Sequence, residues 1–387
     1  MRVFSFFHWL GRRLGPHHRA LLAGLWVLVQ LVYLRKFHGP HFANDSGRYL
    51  AYAAGIAERF YFEPGHNLRY VLYPLFQSLW LWLGLGWWGI VAGQMAVSAL
   101  ATRAIYQGTR RLARGRRAAA VLATFFFIAW PDIQQFNVFL LTESLFISLV
   151  ALSFGAFTRL RAAGPRQWLA FGLLLLLTAL ARPNGFLVAL VAALAGLDSL
   201  RRLPSRRPWR AALLGLVLLA PLLWAALNHQ LATYYLMDTY QRGELIFRSQ
   251  LWAVHQAAPL SMPPPGTGPA MRVAYFAAHN PLYLSRLMLG KLFVFVSYLK
   301  PHYSLAHRAL GVLILWPAYW LAARGAWRRG AVWRPARIFL AAIFLLQTAI
   351  IMLTVDDWDV RFLAPVLPAV FVLAALELEL RFGRNEG

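Results

Sequence analysis

Cysteine is absent from the 387-residue chain, and charged residues are scarce. The first absence excludes disulfide bonds, a thiolate nucleophile and a cysteine-based metal site. Charged residues make up 14% of the chain, well below the roughly 25% of soluble domains. The sequence also contains no glycine-rich phosphate loop, nucleophile elbow or zincin motif. Any chemistry must therefore come from carboxylates, basic residues and aromatic side chains placed among apolar runs.

Hydrophobic residues make up 59% of the chain. A soluble protein of this size could not cover that much apolar surface, so we expect a polytopic membrane protein. Backbone groups in lipid must pair within their own segment, which favours helices. Barrel strands would alternate apolar and polar residues over about ten positions, and these runs do not alternate. The predicted fold class is therefore all-α.

Ten transmembrane helices are predicted from the apolar runs. They cover residues 20–34, 87–106, 118–130, 142–158, 167–181, 185–200, 211–227, 309–323, 338–354 and 362–379. Several runs are shorter than the ~20 residues that cross a bilayer, so flanking arginines are expected to snorkel. Segment 282–299 is also apolar, but a span there would place the arginine-rich stretch 324–337 outside. We interpret it as an interfacial or re-entrant helix, with an eleventh span as the alternative.

Basic residues between the apolar runs set the predicted orientation. Under the positive-inside rule, 24 of the 39 Lys and Arg residues fall on the cytoplasmic side, and ten of the 14 acidic residues fall outside. Both termini are then cytoplasmic. Topology thus accounts for the formal charge of +25, and no nucleic-acid partner is expected. Two long outer loops, 35–86 and 228–308, are the expected place of function within a single transmembrane domain, 1–387.

The first outer loop carries the candidate for catalysis, Asp45, just beyond the first apolar run. A carboxylate at the membrane surface can serve as a general base, because partial burial lifts its pKa toward the working range. The alternative is that Asp45 only caps a short predicted helix. Tyr49, on the next turn, and Tyr73, before the second span, are candidate substrate contacts.

Basic residues near the outer face are candidates for phosphate binding. Arg69 precedes an aromatic entry to the second span, and guanidinium groups match phosphate oxygens; an interfacial anchor is the alternative. Arg361 is an outer cation at the start of the last span, against the inside bias. Lys291, one of three lysines, lies in the interfacial segment, where it could meet a lipid phosphate.

Two more carboxylates, Asp132 and Glu143, lie at the outer ends of adjacent predicted spans, and both, together with Arg182, are candidate substrate contacts. Glu143 falls within an apolar run, where a carboxylate is costly and tends to face an interior cavity. Either it contacts substrate, or it pairs with a cation such as Arg182. Arg182 lies in the tight turn between two spans, where its alternative role is bonding to helix-end carbonyls.

Three aspartates before the last span, Asp356, Asp357 and Asp359, invite a metal hypothesis. Carboxylate oxygens suit hard cations, but spacing alone is weak and no histidine shows zinc-ligand spacing. We therefore assign no metal ligand and expect no cofactor, with a divalent metal as the alternative.

Five short motifs together resemble a known superfamily. They are Asp45-Ser46-x-x-Tyr49, Tyr73-Pro74-Leu75-Phe76, Pro131 with Leu141-Thr142-Glu143-Ser144-Leu145-Phe146, Ala181-Arg182-Pro183-x-Gly185, and Arg361-Phe362-Leu363-x-Pro365. In their order and placement, the chain resembles the GT-C superfamily of polyprenyl-phosphate-sugar-dependent glycosyltransferases, especially the bacterial relatives of protein O-mannosyltransferases and aminoarabinose transferases. The resemblance covers most of the chain.

The resemblance implies an inverting transfer of a hexose or pentose from a polyprenyl-phosphate donor to an acceptor hydroxyl. It implies an acidic first-loop residue, mapped to Asp45, as the base or as a group that orients the acceptor, and it places the donor phosphate on outer basic residues, mapped to Arg69, Lys291 and Arg361. The family often has lysine and two prolines where this chain has Arg69 and a single Pro74. The implied setting is a bacterial inner (plasma) membrane with a periplasmic site. The implied partners are the lipid-linked donor, membrane lipids and a lipid, glycan or protein acceptor, recognised by loop 228–308.

Three other functions fit the same topology. An O-antigen ligase or polymerase would transfer from a diphosphate-linked glycan. A lipid or sugar transporter would need a polar path through the bundle, and the inner half of the spans offers little beyond Gln30 and Arg103. A non-enzymatic scaffold would tolerate the loss of any outer carboxylate.

Overall fold

The computed structural model describes residues 17–65, 67–162, 164–205, 207–256, 258–328 and 332–382. Within these ranges the chain is all-α, as predicted, and contains no strand beyond three isolated bridges. The predicted cytoplasmic termini fall largely on 1–16 and 383–387, outside the described residues. The chain divides into two compact units, the first comprising 1–195, 318–344 and 364–387, the second 196–317 and 345–363. The prediction of a single transmembrane domain stays a prediction.

The described residues form α-helices that we number α1 to α17. In chain order they are His18–Lys36, Ser46–Arg59, Leu72–Trp82, Gly86–Leu112, Ala118–Ala129, Pro131–Gln134, Thr142–Phe157, Pro165–Ala181, Phe186–Arg201, Arg207–Ala232, Leu236–Gln241, Pro269–His279, Pro281–Ser297, Leu305–Leu310, Trp316–Trp327, Arg334–Leu353 and Leu367–Phe382. The 3-10 helices are Asn67–Tyr70, Gln135–Asn137, Leu160–Ala162 and Pro183–Gly185. A π-helical turn, Gly311–Leu315, joins α14 to α15.

The first unit is built around α7 and α17, which are buried on nearly all sides. A helix that is apolar all round belongs in the interior of a bundle. α4 packs against α5 and α7, α5 packs against α17, and α8 packs against α7. α2 packs against α3, and α8 also contacts α3 and the 3-10 helix Asn67–Tyr70. Helices α2 and α3, from the segment predicted as the first outer loop, are therefore folded onto this bundle.

The second unit has a small apolar core between α11, α12 and α13. Its buried side chains are Leu236, Met237, Tyr240, Phe276, Leu284 and Leu287. A tight turn follows α11 at Gly243, whose φ is +63°. A Cβ there would lie 2.1 Å from the carbonyl oxygen of Val254, so only glycine fits. The turn leads into the bridge between Ile246 and Asp356.

Four helical stretches are long and apolar enough to cross a membrane. They are Pro183–Arg201, Arg207–Ala232, Leu305–Trp327 and Arg334–Leu353. The bent pair Ala118–Ala129 and Pro131–Asn137, with an angle of 66°, would be a fifth. α10 is the clearest case, because it is apolar and yet buries none of its residues inside the protein. Soluble proteins rarely expose so large an apolar surface, so these helices indicate membrane association.

Each of the ten predicted spans overlaps a helix, although the predicted start of the last one, 362–366, is a turn before α17. For example, 20–34 falls within α1, 87–106 falls within α4, and 309–323 falls within the run from α14 to α15. The helical character of the apolar runs is thus confirmed, whereas the count of ten spans and the GT-C-like arrangement stay predictions. Segment 282–299 also forms a helix, α13, which is not among the four candidate spans found in the described residues.

Candidate active site

Asp45 stands directly before α2, at the end of the turn that follows α1. Its side chain makes no helix-capping hydrogen bond. Instead, its Oδ1 lies 3.5 Å from Nη2 of Arg48, and 34% of the Asp45 side-chain surface is exposed. The carboxylate is therefore held beside a guanidinium while remaining accessible to a ligand, and the helix-capping alternative does not describe this geometry.

α2 buries Tyr49 against two other tyrosines, Tyr70 and Tyr73. We call these three residues the tyrosine cluster. Buried positions recur along α2 every three or four residues, so one face is directed inward. The ring centroid of Tyr49 lies 5.7 Å from that of Tyr70 and 5.5 Å from that of Tyr73. The guanidinium carbon of Arg48 lies 5.1 Å from the Tyr49 centroid and 5.7 Å from the Tyr70 centroid. Arg48 thus joins the tyrosine cluster to Asp45.

Glu143 and Arg182 form a buried ion pair with 2.6 Å between Oε1 and Nη1. Their side chains are only 2% and 6% exposed. Glu143 lies in the first turn of α7, where the helix dipole favours a negative charge. Arg182 follows α8 in extended conformation. The next turn is close to α8, because a Cβ at Gly185 would lie 2.0 Å from the carbonyl oxygen of Thr178. Of the two roles predicted for Glu143, the pairing with Arg182 is present.

The electrostatic influences on the tyrosines show that these groups share one neighbourhood. Burial raises the pKa of the Tyr49 phenol, the carboxylates of Glu143 and Asp45 raise it further, and Arg182 lowers it. Burial likewise raises the pKa of Tyr73, with Glu143 adding to the effect. Both phenols therefore stay protonated at neutral pH and can donate hydrogen bonds, but they cannot serve as bases. Within this neighbourhood, Asp45 combines a carboxylate with access to solvent.

A network of buried amide side chains is hydrogen-bonded to the tyrosine cluster through Tyr73. The Tyr73 hydroxyl donates to Oε1 of Gln94 at 2.8 Å, and Nε2 of Gln94 donates to the Asn137 carbonyl at 3.0 Å. Nδ2 of Asn137 donates to Oε1 of Gln30 at 3.0 Å, and Ser144 donates to Oδ1 of Asn137 at 2.6 Å. Satisfied buried networks make a site rigid. Most residues of this network were not predicted from the sequence. The feature that could have indicated them is the presence of amide side chains inside apolar runs.

Gln77 is a further residue that sequence reasoning missed. It lies one turn after Tyr73 on α3, and its side chain is fully buried. Its amide lies close enough to the Tyr73 hydroxyl to lower the pKa of that phenol, although no well-aligned hydrogen bond reaches either polar atom of the amide. Buried amides are normally hydrogen-bonded. Gln77 is therefore a polar neighbour of Tyr73 with hydrogen-bonding capacity to spare.

Arg69 and Asp132 have less direct places in the candidate site. Arg69 is half-buried in the 3-10 helix that ends at Tyr70, so its backbone adjoins the tyrosine cluster. Asp132 is buried at the start of α6 and accepts a hydrogen bond from Nε2 of Gln135 at 3.1 Å. Since Asp132 already has this neighbour on its own turn, a substrate contact there stays a prediction.

Lys291 lies in the second unit and is fully buried. Its ammonium donates to the carbonyl oxygen of Thr354 and lies 5.0 Å from the ring centroid of Tyr240. Burial lowers the pKa of Lys291 to about 7, with Glu244 acting in the opposite direction. In this conformation the ammonium has no surface to offer to a lipid phosphate.

Arg361 and the three aspartates also lie in the second unit, where the acids face cations. Lys300 lies 2.8 Å from Oδ2 of Asp356 and donates to two backbone carbonyls of the same loop. Arg361 pairs with Asp357 at 3.1 Å and with Asp359 at 3.6 Å. Among the described residues, no group of three or more His, Asp or Glu side chains could hold a metal ion. The loop is thus stabilised by ion pairs, and the positive charge of Arg361 is already balanced.

Because Lys291 is buried, the stability of the fold is expected to rise with pH. In the unfolded chain lysine keeps its proton to about pH 10.4, whereas in the fold the pKa is about 7. The unfolded chain thus binds one more proton between these values, and stability should rise by about 1.4 kcal/mol per pH unit. Thermal unfolding in detergent between pH 7.5 and 9.5 measures this slope.

The matched control for Lys291→Met is Lys36→Met, since Lys36 is exposed. Lys291→Met should flatten the pH dependence of the unfolding midpoint, and Lys36→Met should leave it unchanged. Equal slopes in all three proteins would show that Lys291 keeps its ordinary proton affinity.

Comparison with known proteins does not place the chain in a family. No protein-family model matches it, and no curated protein matches it. A function must therefore be argued from the resemblance of motifs and from the geometry of the first unit.

Proposed function

We propose that the protein is a membrane glycosyltransferase of the GT-C type, with ten spans and its active site on the periplasmic face. It moves a sugar from a polyprenyl-phosphate donor to an acceptor hydroxyl. The observation that carries the proposal is the grouping of Asp45, Tyr49, Tyr73, Glu143 and Arg182. These residues are far apart in sequence, were singled out by motif, and influence one another electrostatically in the first unit.

Asp45 acts as the general base in an inverting displacement. Its carboxylate takes the proton of the acceptor hydroxyl while the acceptor oxygen attacks the anomeric carbon. The bond from that carbon to the phosphate oxygen breaks, and polyprenyl phosphate leaves with the bonding electron pair. One base suffices because a phosphate is already a good leaving group. Asp45 supports this role because it is partly exposed at the edge of a buried polar site.

Arg48 and Arg69 supply positive charge for the leaving phosphate. Arg48 touches both Asp45 and the tyrosine cluster, and Arg69 adjoins Tyr70 in sequence. Guanidinium groups bind phosphate oxygens with matched geometry, and such stabilisation is strong in a site that excludes water. The proposal does not use Lys291 or Arg361 for this purpose, because the first is buried and the second is paired with two aspartates.

The protonated phenols and the buried ion pair position these groups. Tyr49 can donate a hydrogen bond to a sugar hydroxyl, whereas the hydroxyl of Tyr73 already donates to Gln94 and so fixes the ring that packs against Tyr49. Glu143 and Arg182 hold α7 and α8 together at the back of the site. This arrangement favours a polar ligand with several hydroxyl groups, which is the chemistry of a sugar.

A transfer assay in proteoliposomes tests the proposal. The full chain is incubated with radiolabelled sugars linked to polyprenyl phosphate or to polyprenyl diphosphate, with membrane extracts as acceptor source. Cleavage of the monophosphate-linked donor, with label appearing in the acceptor fraction, is expected. Cleavage of the diphosphate-linked donor alone would support the ligase alternative. Movement of label across the bilayer without cleavage would support a transporter, and either result would overturn the proposal.

A further inference from the structure

A groove of about 810 Å³ lies in the first unit, between α1, α4 and α5. One part of its lining is apolar and comes from Leu22, Trp26 and Val27 on α1. The other part carries four arginines, namely Arg19, Arg103, Arg110 and Arg111. Among the residues that the structure describes, no carboxylate lines the groove. It therefore combines an apolar channel with a strongly positive end.

Three of the four arginines are held in place by neutral groups. Arg110 donates to the carbonyl oxygen of Gly115 at 3.3 Å, and Arg111 donates to Oγ1 of Thr158 at 3.2 Å. Arg19 lies over the ring of Tyr106, 5.5 Å from its centroid. Within the described ranges, none of the four forms an ion pair with a carboxylate. Their combined positive charge is available to an anion.

Arg103 differs from the other three because it falls inside the predicted span 87–106, within one turn of the arginine-rich end of that span. A charged side chain within a span is costly unless it reaches the interface or meets a partner. Arg103 and Arg110 are seven residues apart, so they share one helix face at a rise of about 10 Å. Arg103 and Arg110 therefore form a row of positive charge along the arginine-rich end of α4.

The outward face of α1 is apolar next to the groove. Val27, Leu28, Leu31 and Val32 are each between 49% and 57% exposed. Trp26 lines the groove, and its indole N–H has no acceptor among the described residues. An apolar wall beside a cationic end matches an acyl chain and a phosphate.

We propose that this groove binds an anionic phospholipid, with its phosphate between Arg19 and Arg103 and an acyl chain along Trp26 and Val27. Basic pockets between helices suit anionic lipid headgroups, and each nearby arginine adds to the attraction. The arginine-rich ends of the helices are those that the charge pattern assigns to the cytoplasmic side, so the lipid belongs to that leaflet. This inference does not depend on the proposed glycosyl transfer.

Native mass spectrometry of the detergent-purified full chain tests the proposal with phosphatidylglycerol as the probe. Arg19→Gln with Arg103→Gln removes two charges from the groove, and Ala23→Trp fills the groove without a change in charge. The matched control is Arg161→Gln with Arg166→Gln, which removes two exposed charges outside the groove. Thermal unfolding of each variant shows that it is folded. Inorganic phosphate and glycerol 3-phosphate are added as soluble competitors.

Retention of phosphatidylglycerol should fall at least about tenfold in the groove double variant, since two contacts are lost. It should also fall in Ala23→Trp and persist in the Arg161/Arg166 control. An equal fall in the groove double variant and the control would show attraction by overall charge, without a site. Unchanged binding by Ala23→Trp, or displacement of the lipid by millimolar phosphate, would show that no acyl chain occupies the groove. The proposal is overturned by an equal fall in the two double variants, by unchanged binding in Ala23→Trp, or by displacement of the lipid by phosphate.

Discussion

Replacement of Asp45 by asparagine is expected to lower the rate of sugar transfer by about 10²–10⁴-fold, the usual contribution of a positioned general base. Asparagine keeps the size of the side chain but cannot take a proton. Asp45 is partly exposed and outside the core, so the unfolding midpoint of the variant should remain that of the unmodified protein. The transfer assay and a thermal melt in detergent measure the two quantities.

Glu58→Gln is the matched control for this substitution. Glu58 lies on the same helix, α2, and is exposed, so loss of its charge should leave the transfer rate unchanged. Full activity of Asp45→Asn would exclude Asp45 as the base. A comparable loss in both variants would instead point to a general effect of negative charge on the outer surface.

Replacement of Arg182 by methionine is expected to destabilise the fold by about 3–5 kcal/mol, since it leaves the Glu143 carboxylate buried without its cation. The pair is almost fully enclosed, with 2.6 Å between its charged atoms. Removal of both charges, in Glu143→Gln with Arg182→Met, should recover much of the loss, because a neutral amide is far cheaper to bury than an unpaired charge. Thermal or denaturant unfolding in detergent measures the stability of the unmodified protein, of Arg182→Met, of Glu143→Gln and of the double variant.

The exposed pair of Asp198 and Arg202 provides the comparison for this cycle. Its atoms lie 3.3 Å apart, and the arginine side chain is 56% exposed. Arg202→Gln should therefore change stability by no more than about 1 kcal/mol. If Arg182→Met unfolded at the same temperature as Arg202→Gln, the ion pair of Glu143 and Arg182 would not be a structural element of the site.

The helices were predictable because their signal is local. Apolar runs such as 20–34 and 211–227 are continuous in sequence, and each lies within a helix. Most of segment 282–299, predicted as an interfacial or re-entrant helix, likewise forms a helix. Turn chemistry was also readable at Gly185, where a close approach of the backbone leaves no room for a Cβ. These features depend on residues within a few turns of one another.

From the sequence, individual residues of the candidate site could be predicted, but the contacts between them could not. Asp45, Glu143 and Arg182 could be singled out because charged groups are conspicuous beside apolar runs. The role of Arg48 was missed because an arginine three residues after an aspartate is an ordinary helix pair. Gln77 and Gln94 were missed because a neutral amide gives little contrast in a sequence. Whether such a side chain is buried depends on neighbours from other helices.

By itself, the sequence determined the all-α class, the positions of the apolar helices and the carboxylates worth testing, because periodicity and charge are properties of short segments. Tertiary structure decided which of those residues meet. Packing of α2 on α3 and of α7 on α8 brings the surroundings of Asp45 together across more than a hundred residues. It also decided that Lys291 is buried and that Arg361 faces two aspartates. Burial and ion pairing arise only when distant segments pack against one another, and no short stretch of sequence contains that information.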